Sequence, residues 1–465
     1  MERQEEYELR QKIYAEMIND IDRIFEKVFS RVEGDFSKEI IYPLCIVEKK
    51  FNDMSMKSIC LGLFADNELL LTVNPLREAI FWYVKKILTK EKKLKYQGGG
   101  YGEFLPRETE FIEWVLSGYD EYVKANQIKS IRDGAAKVEI REEKSGNLAF
   151  YFPTISNEYN KEMIYYYGLD DQLEAQQEKQ IFVECEQYLL KKINVYELTN
   201  NPQLIVQYWG ILRIMTTKID DEYFRLCKKR ILIDINKITS STLKSRDTGE
   251  PVINSKDEIA SFLALIYYLS RVDTIKRVLT HATGYGTGRY YCQYKIQKLI
   301  ALGSQVGLSK EVVKCYIRYF SVDKSIDGGS FTEFPFIVCK ENVIWIPSSI
   351  VLNDFQFSLV NGHYYKSVDF YEKSETVSQS IVDYIVNHGQ KFKNLLIRFN
   401  YVYDDPLNKY KGKDLKSDID VAIYDRITKK LLILECKWKE NLYLNRDDYL
   451  KIEDAIKKIY RCINR

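Results

Sequence analysis

The stretch Ser417 to Trp438, SDIDVAIYDRITKKLLILECKW, constrains the fold of this chain more than any other segment. Apolar residues alternate from Ile419 to Ile423, which predicts a strand with one buried face. The apolar run from Leu431 to Leu434 predicts a second strand that is covered on both faces. The polar residues between them supply a turn, in which Asp425 lies opposite Lys430. The segment is therefore expected to form a β-hairpin.

A hairpin that is symmetric about this turn brings four charged residues together. In that register Asp420 lies opposite Glu435, and Asp418 lies opposite Lys437. Because side chains alternate along a strand, all four share one face. Carboxylates held this close repel one another, so the cluster is expected to bind a divalent cation. A lysine beside such a cation is suited to orienting or deprotonating a water, or to stabilising a charged phosphate.

An Asp on one strand and Glu-x-Lys on the next resembles the PD-(D/E)xK nuclease superfamily, which has the restriction-endonuclease-like fold. The resemblance covers residues 366–465, and the proline that names the family is missing. It implies that Asp420 and Glu435 hold Mg²⁺, for which Mn²⁺ substitutes, and that Lys437 assists the attacking water. An ordinary surface hairpin with solvated charges is the alternative reading.

Two further metal ligands come from the same resemblance. The string Ser-Asp-Ile-Asp at 417–420 is similar to the Gly-Glu-Ile-Asp string of resolvase-like and Mrr-like members, in which the last Asp is the ligand. This favours Asp420 and leaves Asp418 as an additional ligand. Many relatives also carry a Glu on the helix that precedes the first strand. Glu375, in a helix predicted for 372–387, is the matching candidate, although a solvated acid favoured by the helix dipole explains it equally well.

Two sets of basic residues flank the expected site. The first lies in a predicted loop, Asn408–Ser417, and the second lies on one face of a helix predicted for 447–462. Both sets suit phosphate contacts that position a nucleic acid without reading its bases, and solvated lysines are the alternative. The residues are Lys409, Lys411, Lys413 and Lys416 in the loop, and Lys451, Lys458 and Arg461 in the helix.

The resemblance also implies a last strand after helix 447–462, but the sequence stops at Arg465. A truncated chain, a strand supplied from elsewhere and a reduced domain are three open explanations. An open sheet edge invites pairing, so a second copy of the chain or a partner subunit is an expected partner.

Composition narrows the class of protein. The chain is 45% hydrophobic and 29% charged, as is usual for a soluble globular protein. It has no apolar run of about eighteen residues, so no membrane span is expected. The start MERQEE is no secretory signal and the nine cysteines form no C-x-x-C pair, which favours a reducing cytoplasm. The net charge of +2 means that nucleic-acid contacts would depend on local patches.

Hydrophobic periodicity predicts a multi-domain α/β protein. Its expected parts are a mixed α/β domain at 1–155, a mostly helical domain at 156–325 and a β-hairpin connector at 326–365. For residues 366–465 the resemblance implies a nuclease domain with an α-β-β-β-α core. His281–Lys295 is expected to connect two helices. Other expected elements are a helix at Glu2–Val32, mixed or strand-rich structure at Ile40–Val73, hairpins at Lys137–Thr154 and Phe331–Pro347, a strand at Asn394–Tyr403, and helices at Leu76–Leu88, Asp171–Ile193, Gln203–Ile219, Ile259–Thr280, Tyr294–Val306 and Ser348–Leu359.

These features predict a Mg²⁺-dependent endonuclease. The resemblance favours DNA as the substrate, and a role in restriction or bacteriophage defence rests on analogy of architecture alone. Two alternatives stay open. One is a non-catalytic interaction or DNA-binding subunit with a degenerate nuclease fold, which would be expected to lose part of the acid–acid–lysine set. The other is an RNA-cleaving effector.

Overall fold

The computed structural model describes most of the middle of the chain and part of each end. The described residues are scattered helical positions between 8 and 26 and the ranges 40–49, 67–90, 113–122, 139–142, 148–151, 180–193, 201–236, 255–282, 290–362 and 392–434, apart from 114, 121, 202, 324, 326–328, 352, 357, 360–361 and 411–412. Helices predicted at 372–387 and 447–462 lie outside this part of the chain.

The described elements form a mixed α/β structure. The helices with described limits are α1 (40–49), α2 (Asn67–Lys90), α3 (180–192), α4 (Leu204–Met215), α5 (Asp221–Ile235), α6 (Lys256–Ala282), α7 (Ile296–Gln305), α8 (Lys310–Tyr319) and α9 (Ser348–Val351). Further helical positions lie between 8 and 26, between 113 and 122 and between 355 and 362. The strands are β1 (Glu139–Glu142), β2 (Leu148–Tyr151), β3 (Cys292–Lys295), β4 (Ile337–Cys339), β5 (Asn342–Trp345), β6 (Leu395–Tyr410), β7 (Lys413–Asp425) and β8 (Lys430–Leu434).

The strands form three antiparallel sheets, in the orders β1-β2, β3-β5-β4 and β6-β7-β8. Backbone contacts divide the chain into two compact units, Met1–Ile233 with Asp257–Asp354 and Asp234–Lys256 with Phe355–Arg465. The domain limits expected from the sequence stay predictions. Among the described residues, no helix is both long and apolar enough to cross a membrane.

Helix α6 lies at the centre of the first unit. Its segment from Ile259 to Leu269 is apolar almost all round, and every one of these positions is buried. A helical segment without a polar face must be enclosed by other elements, so this part of the sequence predicts a helix buried in the core. The aromatic ring of Phe262 contacts Tyr316 of α8 and the ring of Phe336, with centroids 5.3 and 6.2 Å away.

The sheet β3-β5-β4 packs against this helix. The predicted hairpin at Phe331–Pro347 is confirmed, with Lys340 in the left-handed region at its turn (φ 53°). Strand β3 was not expected, so the predictions of a helix connection through Lys295 and of a helix from Tyr294 were wrong at these residues. The Tyr294 ring stacks on Trp345 with centroids 5.4 Å apart, and Trp345 Nε1 donates to Ser270 Oγ of α6 at 2.9 Å. This packing overrides the helical period of the local sequence.

A buried charge network connects distant parts of the first unit. The carboxylate of Glu48 in α1 is fully buried, and its Oε1 lies 3.5 Å from Nη2 of Arg277 in α6. Its Oε2 accepts a hydrogen bond from the backbone N–H of Ser348, at 3.0 Å. Arg277 Nη2 also donates to Thr274 Oγ1 at 2.9 Å. The network thus joins α1, α6 and the start of α9.

Two other sequence expectations need correction. The expectation of mixed or strand-rich structure at Ile40–Val73 was wrong in its strands for the described residues, because 40–49 and 67–73 are all helical. Ile40, Leu44 and Val47 recur at helical spacing and are buried together on one side. The helix expected at Ser348–Leu359 is interrupted: α9 ends at Val351, Asn353 and Asp354 are not helical, and the described positions from Phe355 to Leu359 are helical again.

Candidate functional site

The sheet β6-β7-β8 carries the part of the predicted site that the structure describes. Strands β7 and β8 pair antiparallel in the predicted register, from Asp425 opposite Lys430 to Val421 opposite Leu434. Val421 is fully buried. The hairpin itself and its register are therefore confirmed over these five residue pairs.

The turn between β7 and β8 is fixed by one carboxylate. Asp425 Oδ1 accepts hydrogen bonds from the backbone N–H of Ile427 and from Asn394 Nδ2, both at 2.9 Å. Its Oδ2 accepts from Thr428 Oγ1 at 2.6 Å. The hydrogen bonds from Thr428, Asn394 and the Ile427 N–H lower the pKa of Asp425 to about 2. Lys429 adopts a left-handed conformation (φ 58°) that closes the turn.

This anchor explains why the register is well defined. The backbone N–H of Arg426 donates to the carbonyl oxygen of Asn394 at 3.0 Å, so the start of β6 is bonded to the same turn. Sequence reasoning missed Asn394 and Thr428. An Asp followed three residues later by Thr is a local turn signal that would have identified Thr428, whereas Asn394 is distant in sequence and gave no signal.

The expected metal ligands Asp418 and Asp420 both lie on β7. Asp418 is opposite Val402 of β6, and Asp420 lies immediately before the last described β7–β8 pair. Because they are two residues apart on a regular strand, they occupy positions on the same face of the sheet. Their side-chain atoms lie outside the described part of the structure.

The other expected site residues are not among the described residues. Glu435 and Lys437 follow the last described residue of β8, and Glu375 lies in the range 363–391. The pairings of Asp420 with Glu435 and of Asp418 with Lys437 therefore stay predictions. Within the ranges described here, no group of three or more His, Cys, Asp or Glu residues could hold a metal ion.

The predicted lysine loop is in fact a continuation of the two strands. β6 extends to Tyr410 and β7 begins at Lys413, so the expectation of a loop at Asn408–Ser417 was wrong. The β6–β7 ladder runs from Leu395 opposite Asp425 to Tyr410 opposite Lys413, with a register shift between Asp405 and Lys409. Lys411 lies outside the described residues.

The extended hairpin places two of these lysines in register with acidic residues of the facing strand. Lys409 is the cross-strand neighbour of Asp414, and Lys416 is the neighbour of Asp404. Lys451, Lys458 and Arg461 of the second basic set lie outside the described residues.

The edge strand β8 departs from the sequence expectation. Its run was expected to be covered on both faces, but Leu431, Leu432 and Ile433 are 58, 53 and 52% exposed. Because consecutive residues of a strand point to opposite faces, β8 presents apolar surface on both sides. Such an edge is unusual for a solvated strand and is typical of an interaction surface.

Comparison with protein-family models, with curated proteins and with solved structures finds no match to this chain.

Proposed function

We propose that the C-terminal part of the chain is a Mg²⁺-dependent nuclease that hydrolyses phosphodiester bonds, with DNA as the substrate. The observation that carries this proposal is the register of β7 and β8. If the ladder continues by one more pair, Asp420 meets Glu435, and by three more, Asp418 meets Lys437.

The residues suit the metal that the proposal requires. Asp418 and Asp420 occupy one face of β7, and carboxylate oxygens are the ligands that Mg²⁺ prefers. In the proposed site Asp420 and Glu435 hold the ion, with Asp418 and Glu375 as further ligands. A bound Mg²⁺ supplies a Lewis acid for the phosphate and lowers the pKa of a bound water. Lys437 orients that water and stabilises the charge that develops on the phosphate.

Cleavage by matched variants tests the proposal. Asp420→Ala, Glu435→Ala and Lys437→Ala are each expected to reduce the rate of cleavage by about 10²-fold or more. Asp414→Ala removes a carboxylate from the same strand at a position outside the proposed site, and it is the control that should keep activity. Cleavage should also stop in excess chelator and return with Mg²⁺ or Mn²⁺. Equal rates for the unaltered chain and Asp420→Ala would refute the assignment.

The substrate is tested separately. Duplex DNA, single-stranded DNA and RNA of one sequence are offered side by side, and preferential cleavage of RNA would identify the effector described above as the alternative. A role in restriction or defence belongs to the same proposal and requires protection of a host against incoming DNA, which the Asp420→Ala variant should lose.

A non-catalytic interaction subunit is a second candidate, and the exposed apolar edge of β8 favours it. Three consecutive aliphatic side chains are more than half exposed there. A protein of this kind would bind its partner equally well with and without Asp420, and it would show no cleavage at any metal concentration. Measuring binding and cleavage on both the unaltered chain and Asp420→Ala separates the two candidates, because only a nuclease cleaves as the unaltered chain and loses cleavage in the variant.

A further inference from the structure

Three helices of the first unit enclose a cluster of polar side chains that the proposed nuclease site does not use. Tyr223 and Cys227 are four residues apart on α5, and Tyr267 and Arg271 are four residues apart on α6, so each helix directs two polar groups to one side. α3 contributes an adjacent cysteine and glutamate. The members of this three-helix cluster are Cys185, Glu186, Tyr223, Cys227, Tyr267 and Arg271.

Four members of the cluster are buried, the side chains of Arg271 and Glu186 are 12 and 22% exposed, and the cluster has no net charge. Tyr223 and Tyr267 are 0 and 1% exposed. Arg271 Nη2 donates to Glu186 Oε2, which pairs the one cation with the one carboxylate. Burial raises the pKa of Tyr223, of Tyr267 and of the Cys227 thiol, which also interacts with the Cys185 thiol. The phenols and this thiol therefore stay protonated and neutral around the ion pair.

Four polar atoms in this cluster have no hydrogen-bond partner among the residues that the structure describes. They are Glu186 Oε1, Tyr223 Oη, Tyr267 Oη and Arg271 Nε, and each is shielded from solvent. An unpaired buried polar atom costs about 1–3 kcal/mol, and native interiors contain few of them. Four in one neutral cluster would be a large penalty, which points to a ligand that pairs with them.

We propose that the three-helix cluster is an internal binding site for ordered water. The ligand must both accept, from Arg271 Nε, and donate, to Glu186 Oε1, and the two tyrosine hydroxyls can do either. The Glu186 carboxylate would repel an anion and the Arg271 guanidinium would repel a cation, so a small neutral molecule fits best. Buried water makes two to four such hydrogen bonds and commonly pairs polar groups that lack a protein partner. The bound water then connects α3, α5 and α6.

The sign of a stability change tests this proposal. If each hydroxyl bonds to an ordered water, Tyr223→Phe and Tyr267→Phe should each lower the folding equilibrium constant by about tenfold, as the loss of one buried hydrogen bond does. Tyr268→Phe, on the same helix as Tyr267, is the control for the loss of a hydrogen bond that needs no water. The Tyr268 hydroxyl donates to the Met215 carbonyl at 3.1 Å within the protein. If instead the hydroxyls are unpaired, removing them should leave stability unchanged or raise it, and the proposal is then wrong.

A direct count of bound water completes the test. Oxygen-17 relaxation dispersion of the water signal reports water molecules that stay inside a protein, and the double variant Tyr223→Phe/Tyr267→Phe should lose part of that signal. Tyr268→Phe should retain it. An unchanged signal in the double variant, or electron density for a protein side chain or a larger molecule at these four atoms, would overturn the proposal.

Discussion

Asp220 is expected to be a main anchor of helix α5, and its removal is the most informative test of the helical unit. Its Oδ1 accepts from the backbone N–H of Tyr223 at 3.0 Å, which caps the first turn of α5, and from the Tyr188 hydroxyl at 2.8 Å. Its Oδ2 accepts from Lys192 Nζ. One carboxylate therefore fixes the start of α5 and ties α3 to it.

The cost of Asp220→Ala follows from these contacts. Loss of an N-cap costs about 1 kcal/mol. Loss of the hydrogen bond from Tyr188 to a charged acceptor costs about 1.5 kcal/mol. The pair with Lys192, whose side chain is about one-third exposed (34%), adds at most about 1 kcal/mol because solvent screens it. We therefore expect a loss of about 3 kcal/mol in the free energy of unfolding.

Urea unfolding followed by far-UV circular dichroism measures this loss. Asp220→Asn keeps a good capping side chain and should lose only about 1–2 kcal/mol. Asp221→Asn, at the exposed neighbouring acid of the first turn, is the control and should change stability by less than about 1 kcal/mol. A loss below about 1 kcal/mol for Asp220→Ala, or equal losses for the Ala and Asn variants, would refute the reasoning.

The same carboxylate predicts a pH dependence. Burial alone raises the pKa of Asp220, but the hydrogen bonds from Lys192, the Tyr223 N–H and Tyr188 outweigh burial, so its pKa in the folded protein lies below the ordinary 3.8. A lowered pKa means that the stabilisation is present above the unfolded pKa and is lost as pH falls through the folded pKa. The stability difference between the unaltered chain and Asp220→Asn should therefore be constant near neutral pH and shrink below about pH 4. A difference that grows on acidification would contradict the assignment.

Three further predictions concern other anchors of the fold. Glu48→Ala leaves the Arg277 guanidinium buried without its carboxylate and should lower the urea-unfolding free energy by about 3–5 kcal/mol, whereas a loss under about 1 kcal/mol would show that the pair is dispensable. Asp425→Ala removes the hydrogen-bond acceptor of the β7–β8 turn, so amide hydrogen exchange across that hairpin should accelerate. In the unaltered chain, protection of these amides from exchange should be kept above the unfolded pKa of Asp425 and lost as pH falls towards its folded pKa of about 2. Gly329→Ala should destabilise more than Gly307→Ala in thermal unfolding, because both have a positive φ (85° and 83°) but only the first places its new methyl group 2.6 Å from a phenylalanine ring, and equal shifts would contradict this.

The elements that the sequence predicts well are those whose periodicity matches their burial. The segment Ile259–Leu269 of α6 is apolar almost all round and is buried at every position. The hairpins at β1-β2, β4-β5 and β7-β8 have polar turns between their strands. In these segments local propensity and tertiary packing agree, so the sequence pattern alone is sufficient to predict the secondary structure.

The predictions from sequence are wrong where contacts with distant parts of the chain determine the local structure. Strand β3 is formed by only four residues, and its pairing with β5 and the stacking of Tyr294 on Trp345 come from a segment about fifty positions away in the chain. The lysine-rich segment was predicted to be a loop because its charges are typical of turns, yet it continues the β6–β7 ladder, with Lys409 opposite Asp414 and Lys416 opposite Asp404. No single-segment pattern contains that information.

For the candidate site, the sequence predicted the strand positions of Asp418 and Asp420 and the register of the hairpin up to Leu434. It did not predict that Asn394, from the start of the preceding strand, would hold the turn. The metal-binding role of these residues depends on Glu435 and Lys437 and is a proposal about the chemistry, which the described backbone supports through its register alone.

The Glu48 network has a consequence for how the protein is made on the ribosome. Its carboxylate finds its two partners only after Arg277 and Ser348 have been synthesised, 229 and 300 residues later. During synthesis, the Glu48 side chain must therefore stay in water or be bound by a chaperone until most of the polypeptide has emerged from the ribosome. A stop before residue 348 would release a product whose acidic group cannot be buried without penalty, so cells should degrade such fragments quickly.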